Sequence, residues 1–94
     1  MILLWLPRAI RNRDALIDRI ATSNPRAAIR QGDKLERQID LLRSHPKTGD
    51  PGRVARTREL VISKTPFIVI YRYKPRAHLI EIVHILHDAQ RHSD

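Results

Sequence analysis

An α+β fold, in which two helices cover a mainly antiparallel sheet, is predicted by three features of the sequence. Between Arg56 and His87 lie three runs rich in β-branched and aromatic residues, separated by Lys64-Thr65-Pro66 and by Lys74-Pro75-Arg76-Ala77. Such runs with proline-bearing breaks read as a three-stranded antiparallel meander. Ahead of them, apolar residues recur at helical spacing in two stretches divided by Thr22-Ser23-Asn24-Pro25. The chain opens with a short apolar run, Ile2 to Leu6.

Taken in order, Ile2 to Leu6 is apolar on both faces and is expected to join the sheet as a short N-terminal strand. Pro7 ends it and suits the first turn of a helix. From Arg8 to Ala21, Ala9, Leu16, Ile17 and Ile20 share one helical face, with Arg11, Asp14, Asp18 and Arg19 turned outward. Asn24 is placed to cap a second helix whose first residue is Pro25, where a missing N–H costs nothing. That helix carries Ala28, Gly32, Leu35, Ile39 and Leu42 as one seam, and Gly32 is expected to admit a close backbone approach. Pro46 enforces its stop. Residues 46–52 are expected to be loop, with Gly49 and Pro51-Gly52 as turn residues. The fold class is thus a short N-terminal strand, a two-helix hairpin and a three-stranded meander, with the helices packed on the sheet.

Ninety-four residues allow one domain, expected over residues 1–94. The absence of cysteine excludes a disulfide framework and thiolate metal sites, and suits a reducing cytoplasm. The apolar opening is too short for a membrane span or a signal-peptide core, so a soluble intracellular protein is expected. Charge says more. Eighteen Lys and Arg against ten Asp and Glu give a net charge of +8, and fourteen of the eighteen are arginines. Arginine favours forked contacts to phosphate or carboxylate, so an anionic partner is expected.

Several familiar chemistries lack their residues. There is no glycine-rich phosphate loop, no Cys/His zinc spacing and no nucleophile elbow. His84 and His87 stand three apart on a strand and face opposite ways, so no shared metal is expected. His84 has apolar neighbours and reads as a packed histidine. Trp5 and Tyr71 read as core aromatics. The basic residues are the candidates for function: Arg53, Arg56 and Arg58 enter the second strand, Arg72 ends the third and His87 ends the fourth. Some of them are expected to converge at one sheet edge with Gln90 and Arg91. Arginines beside a histidine suit phosphodiester cleavage by the RNA's own hydroxyl, in which the arginines stabilise phosphate charge and His87 moves a proton. The residue types alone favour a docking surface, with His87 as a structural strand-end residue.

In order along the chain, the sequence resembles the RelE/ParE toxins of bacterial type II toxin–antitoxin modules. The resemblance is carried by Trp5 ending the first strand, Asn24-Pro25-Arg26-Ala27-Ala28, His45-Pro46 with Gly49, and Gly52-Arg53-Val54. It continues through Thr57-Arg58-Glu59-Leu60, Pro66-Phe67-Ile68-Val69-Ile70-Tyr71-Arg72, and Ile85-Leu86-His87 followed by Ala89-Gln90-Arg91. It implies a growth-inhibiting toxin held inactive by a cognate acidic antitoxin that wraps around it. Ile17, Ile20, Leu35 and Ile39 are then the expected antitoxin contacts.

The resemblance implies one of two targets. RelE-like members cut messenger RNA on the ribosome, and here that would use Arg58, Arg72 and His87 without metal or cofactor. ParE-like members poison DNA gyrase, and Arg53, Arg56, Arg58, His87, Gln90 and Arg91 would be the target contacts. RelE-like nucleases usually carry an arginine after the aromatic that opens the third strand. Here Ile68 follows Phe67, which favours the ParE-like branch. Neither branch implies a membrane or a small-molecule substrate.

Overall fold

The computed structural model describes residues 1–91, with the backbone alone for Arg91. Strand β1 (Ile2–Trp5) is followed by helices α1 (Pro7–Ser23) and α2 (Pro25–Asp40), then by a 3-10 turn at Leu41–Arg43. Strands β2 (Asp50–Pro51), β3 (Arg58–Val61), β4 (Phe67–Lys74) and β5 (Leu79–His87) lead to a short helix, α3 (Asp88–Arg91). The five strands form one sheet in the order β1-β5-β4-β3-β2. The meander β3-β4-β5 is antiparallel and β1 runs parallel to β5. The expected α+β architecture is present, with two additions: β2 lies within the residues expected to be loop, and α3 follows the last strand.

The helix boundaries follow from local chemistry. Asn24 Oδ1 accepts from Ala27 N–H at 3.0 Å, and Pro25 occupies the first turn of α2. This cap satisfies one of the donors orphaned at a helix start. One face of each helix meets one face of the sheet. Ala9, Leu35, Ile39 and Leu42 pack with Phe67, Val69, Tyr71, Ile80, Ile82 and Ile85, and Leu3, Trp5, Leu16, Ile17, Ile20 and Leu60 flank them. The expected seam on α2 is therefore real except at Gly32. A Cβ there would meet Ile17 Cδ1 at 3.6 Å, so a side chain rather than a backbone lies opposite it.

A bulge corrects the alternation of β5. Ile70 pairs with His84 but Tyr71 pairs with Ile82, which leaves Val83 as an extra residue. Ile82 and Ile85 thus both reach the core although they are three apart. Bulges bend and twist a strand in this way. Beyond β1, the outer edge of β5 is closed by side chains: Asn12 Oδ1 accepts from Ile85 N–H at 3.2 Å, and Gln90 Oε1 accepts from His87 N–H at 2.8 Å. At the other side of the sheet, Gln38 accepts from Ser63 N–H at 2.8 Å and donates to Ser63 C=O at 3.3 Å. Side-chain amides here stand in for the strand that would otherwise be recruited by an open edge. Among the described residues no helix is long and apolar enough to cross a membrane.

Candidate functional site: a basic notch and a distal groove

The loop between α2 and β3 is moored to the sheet from below. The Tyr71 hydroxyl donates to Pro46 C=O at 2.7 Å and accepts from Gly49 N–H at 2.9 Å. Burial pushes the Tyr71 phenol above its ordinary pKa, and the Gly49 N–H and the Arg58 charge offset part of that rise. Arg58 adds a second mooring, donating to Gly49 C=O at 2.7 Å and to Lys47 C=O at 3.4 Å. Gly49 is required at this crossing: a Cβ would lie 2.8 Å from the Tyr71 ring and 2.9 Å from Glu59 O.

With the loop fixed, β4 outruns β3. Arg58 at the start of β3 pairs with Tyr71, and β4 continues for three more residues, Arg72 to Lys74, without a partner on that side. The turn from Arg53 to Thr57 folds next to this overhang. It is tied by Thr57 N–H and Oγ1 to Val54 C=O and by Gly52 N–H to Thr57 C=O. Between turn and overhang opens a notch of about 710 Å³, lined by Pro51, Ala55, Arg56, Thr57, Arg58, Arg72, Tyr73 and Lys74. Across β5, Glu81 contacts Arg72 Nε and Lys74 Nζ, each at 3.1 Å. The Lys74 hydrogen bond, then the charges of Lys74 and Arg72, hold the Glu81 carboxyl below its ordinary pKa despite an opposing effect of burial.

Histidine 87 is elsewhere. It pairs with Phe67 at the start of β4, four residues before Tyr71, so about 13 Å of strand separates it from the level of Arg58. Its Nδ1 accepts from Ala89 N–H at 3.1 Å. Together with Gln90, Leu16, Ile20, Gln31 and Phe67 it lines a second, more apolar groove of about 570 Å³. The expected convergence at one edge is therefore corrected. Arg56, Arg58 and Arg72 share the notch, whereas His87 and Gln90 belong to the opposite end of the sheet. Arg53 sits on the turn beside the notch, and its backbone N–H donates to Glu59 at 3.1 Å. The side chain of Arg91 lies outside the described residues.

Two of the expected partner contacts are also corrected. Leu35 and Ile39 are each 1% exposed and belong to the core under the sheet. Ile17 and Ile20 remain half-exposed, and Ile20 lines the distal groove. Trp5 is half-buried, with Arg13 stacked over its ring at 4.9 Å to the centroid. His84, on the sheet face away from the helices, is half-buried. Burial, followed by the nearby Arg8 charge, pushes its pKa down. Among the described residues no group of three or more His, Cys, Asp or Glu is placed to hold a metal ion.

Comparison with known proteins gives this geometry a family. The model of the ParE toxin of the type II toxin–antitoxin system, parDE, matches residues 3–92. A relative from Sinorhizobium fredii (strain NBRC 101917 / NGR234), named "Putative toxin Y4kP", is 34% identical over 80 residues, covering 85% of this chain and 83% of the relative. A solved structure described as "Chromosomal ParDE TA system from P. aeruginosa" superposes with a TM-score of 0.82 at 26% identity, covering 93% of this chain and 95% of that one. The chain belongs to the ParE family of toxins from type II toxin–antitoxin systems.

Proposed function

We propose that this toxin arrests bacterial growth in the cytoplasm by poisoning DNA gyrase, and that a cognate antitoxin neutralises it. The observation that carries the target is Ile68. This position follows the aromatic at the start of β4, where the RNA-cutting branch places an arginine, and here it is an apolar side chain 1% exposed. Ile68 itself offers no charge to a transferring phosphate, and Arg19 is the basic residue that lines the groove with His87. The distance between His87 and the notch arginines speaks the same way, because general acid–base help must come within hydrogen-bond reach of the groups it serves. The notch and its turn, with Arg53, Arg56 and Arg58, and the groove end, with His87 and Gln90, are the surfaces offered to the target, and Arg91, whose side chain lies outside the described residues, is a further candidate contact. The half-exposed Ile17 and Ile20 on α1 and the apolar groove beside Ile20 suit an amphipathic antitoxin segment, and the +8 charge suits an acidic one.

Controlled induction in a bacterial host tests this reading. Growth should stop, with broken chromosomal DNA and full-length messenger RNA, and co-expression of the product of the adjoining reading frame should restore growth. Arrest with messenger RNA cut within codons and an intact chromosome would contradict it.

A further inference from the structure

Four basic residues, Arg56, Arg58, Arg72 and Lys74, line one opening. Glu81, reaching from β5, holds Arg72 and Lys74 side by side. Arg58 is moored to the loop carbonyls. Arg56 differs from all three. Its side chain is exposed, and its backbone sits at φ 66°, in the left-handed region that glycine or asparagine occupies at less cost. Strained backbone persists where the surrounding structure over-determines it, and it gathers at sites of function. Here the Thr57–Val54 and Gly52–Thr57 bonds fix the turn, and the residue held in strain is a cation on the notch wall.

Several cations in one opening call for closely spaced anionic oxygens. Duplex DNA supplies a charge about every 1.7 Å of helix axis, denser than an acidic peptide, whose residues are spaced about 3.3 Å apart when extended. Single-stranded nucleic acid is gripped largely by bases stacked on exposed aromatics. The one aromatic in the notch, Tyr73, is half-buried and packed against the core. We infer that the notch between the Arg53–Thr57 turn and the β4 overhang binds the phosphate backbone of duplex DNA, with Arg56, Arg72 and Lys74 as the contacting groups. The toxin would then grip the duplex directly, whatever protein also holds it.

Anisotropy titrations of the full chain against a duplex of about 20 base pairs, over a range of KCl concentrations and with no gyrase present, test this. Each lost phosphate contact should lower the slope of log affinity against log salt by about 0.9. The double variant Arg56→Gly/Lys74→Gln should therefore lose about 2 units of slope. Arg56→Gly relieves the left-handed strain, so an unchanged or raised Tm for that single variant would separate lost binding from lost folding. The control, Arg26→Gln/Arg30→Gln on the exposed side of α2, should keep nearly the full slope. Equal losses in both double variants would reduce the binding to bulk charge and overturn the proposal. So would a wild-type slope in the notch variant, or displacement of the duplex by polyglutamate at equal charge concentration. Because gyrase is absent, each of these outcomes stands apart from the success or failure of the gyrase reading.

Discussion

The hydroxyl of Tyr71 on the central strand meets the backbone N–H of Gly49 at 2.9 Å, and this one contact sets where the loop before β3 must lie. The phenol also donates to Pro46 C=O, so a single buried oxygen joins two points of the loop to the sheet. Replacing Tyr71 by Phe keeps the ring but leaves both backbone groups without this partner. The expected cost is about 1–3 kcal/mol, measurable by urea unfolding. A cost near zero would mean that solvent satisfies the loop without the phenol.

Two glycines should respond in opposite directions. Gly32→Ala places a methyl in ordinary contact with Ile17 and gains helix propensity, so it should stabilise by about 0.5–1 kcal/mol. Gly49→Ala drives a methyl against the Tyr71 ring and the Glu59 carbonyl and should destabilise by about 1–3 kcal/mol. Thermal melts of the two variants check the signs.

The acid limb of stability should report on Glu81. Its pKa in the folded chain lies below the 4.5 of the free side chain, because Lys74 and Arg72 hold the carboxylate. The stabilisation is complete above pH 4.5 and is lost as pH falls through the folded value. Since Arg72 and Lys74 are partly exposed, the solvent-screened contribution is about 1 kcal/mol or less. Glu81→Gln should flatten that part of the stability–pH curve and lower stability at pH 7. An identical acid limb in wild type and variant would remove Glu81 from the account.

His84 should act in a higher window. Burial and Arg8 favour its neutral form in the folded chain, so its pKa sits below 6.5. Stability is full above pH 6.5 and declines as pH falls from there to the folded value. Arg8→Gln should raise the His84 midpoint in an NMR titration by removing one of its two causes. A midpoint that stays put would assign the depression to burial alone.

How much of this was legible beforehand depended on how local the cause was. Asn24-Pro25 marked the boundary of α2 because capping acts within three residues. The seam on α2 showed which face is buried but not what buries it. Leu35 and Ile39 were thus expected to face a partner, although they face the chain's own sheet. The bulge at Val83 and the two-residue strand β2 depend on pairing between distant residues and left no local mark. The position of His87 was recoverable in principle. In an antiparallel meander the end of β5 lies beside the start of β4, whereas the start of β3 lies beside its end. His87 and Arg58 therefore belong at opposite ends of β4, as the register shows.

On the proposed function, this ParE-family toxin holds a target through its basic surface rather than cutting RNA with it. The most direct measurement is a pair of reactions with purified, antitoxin-free chain, one containing gyrase and supercoiled plasmid, the other ribosomes programmed with messenger RNA. Linear plasmid trapped in gyrase cleavage complexes and intact RNA are expected. Cut RNA with gyrase left fully active would contradict the proposed function, and would show that a buried isoleucine after Phe67 is compatible with phosphodiester cleavage.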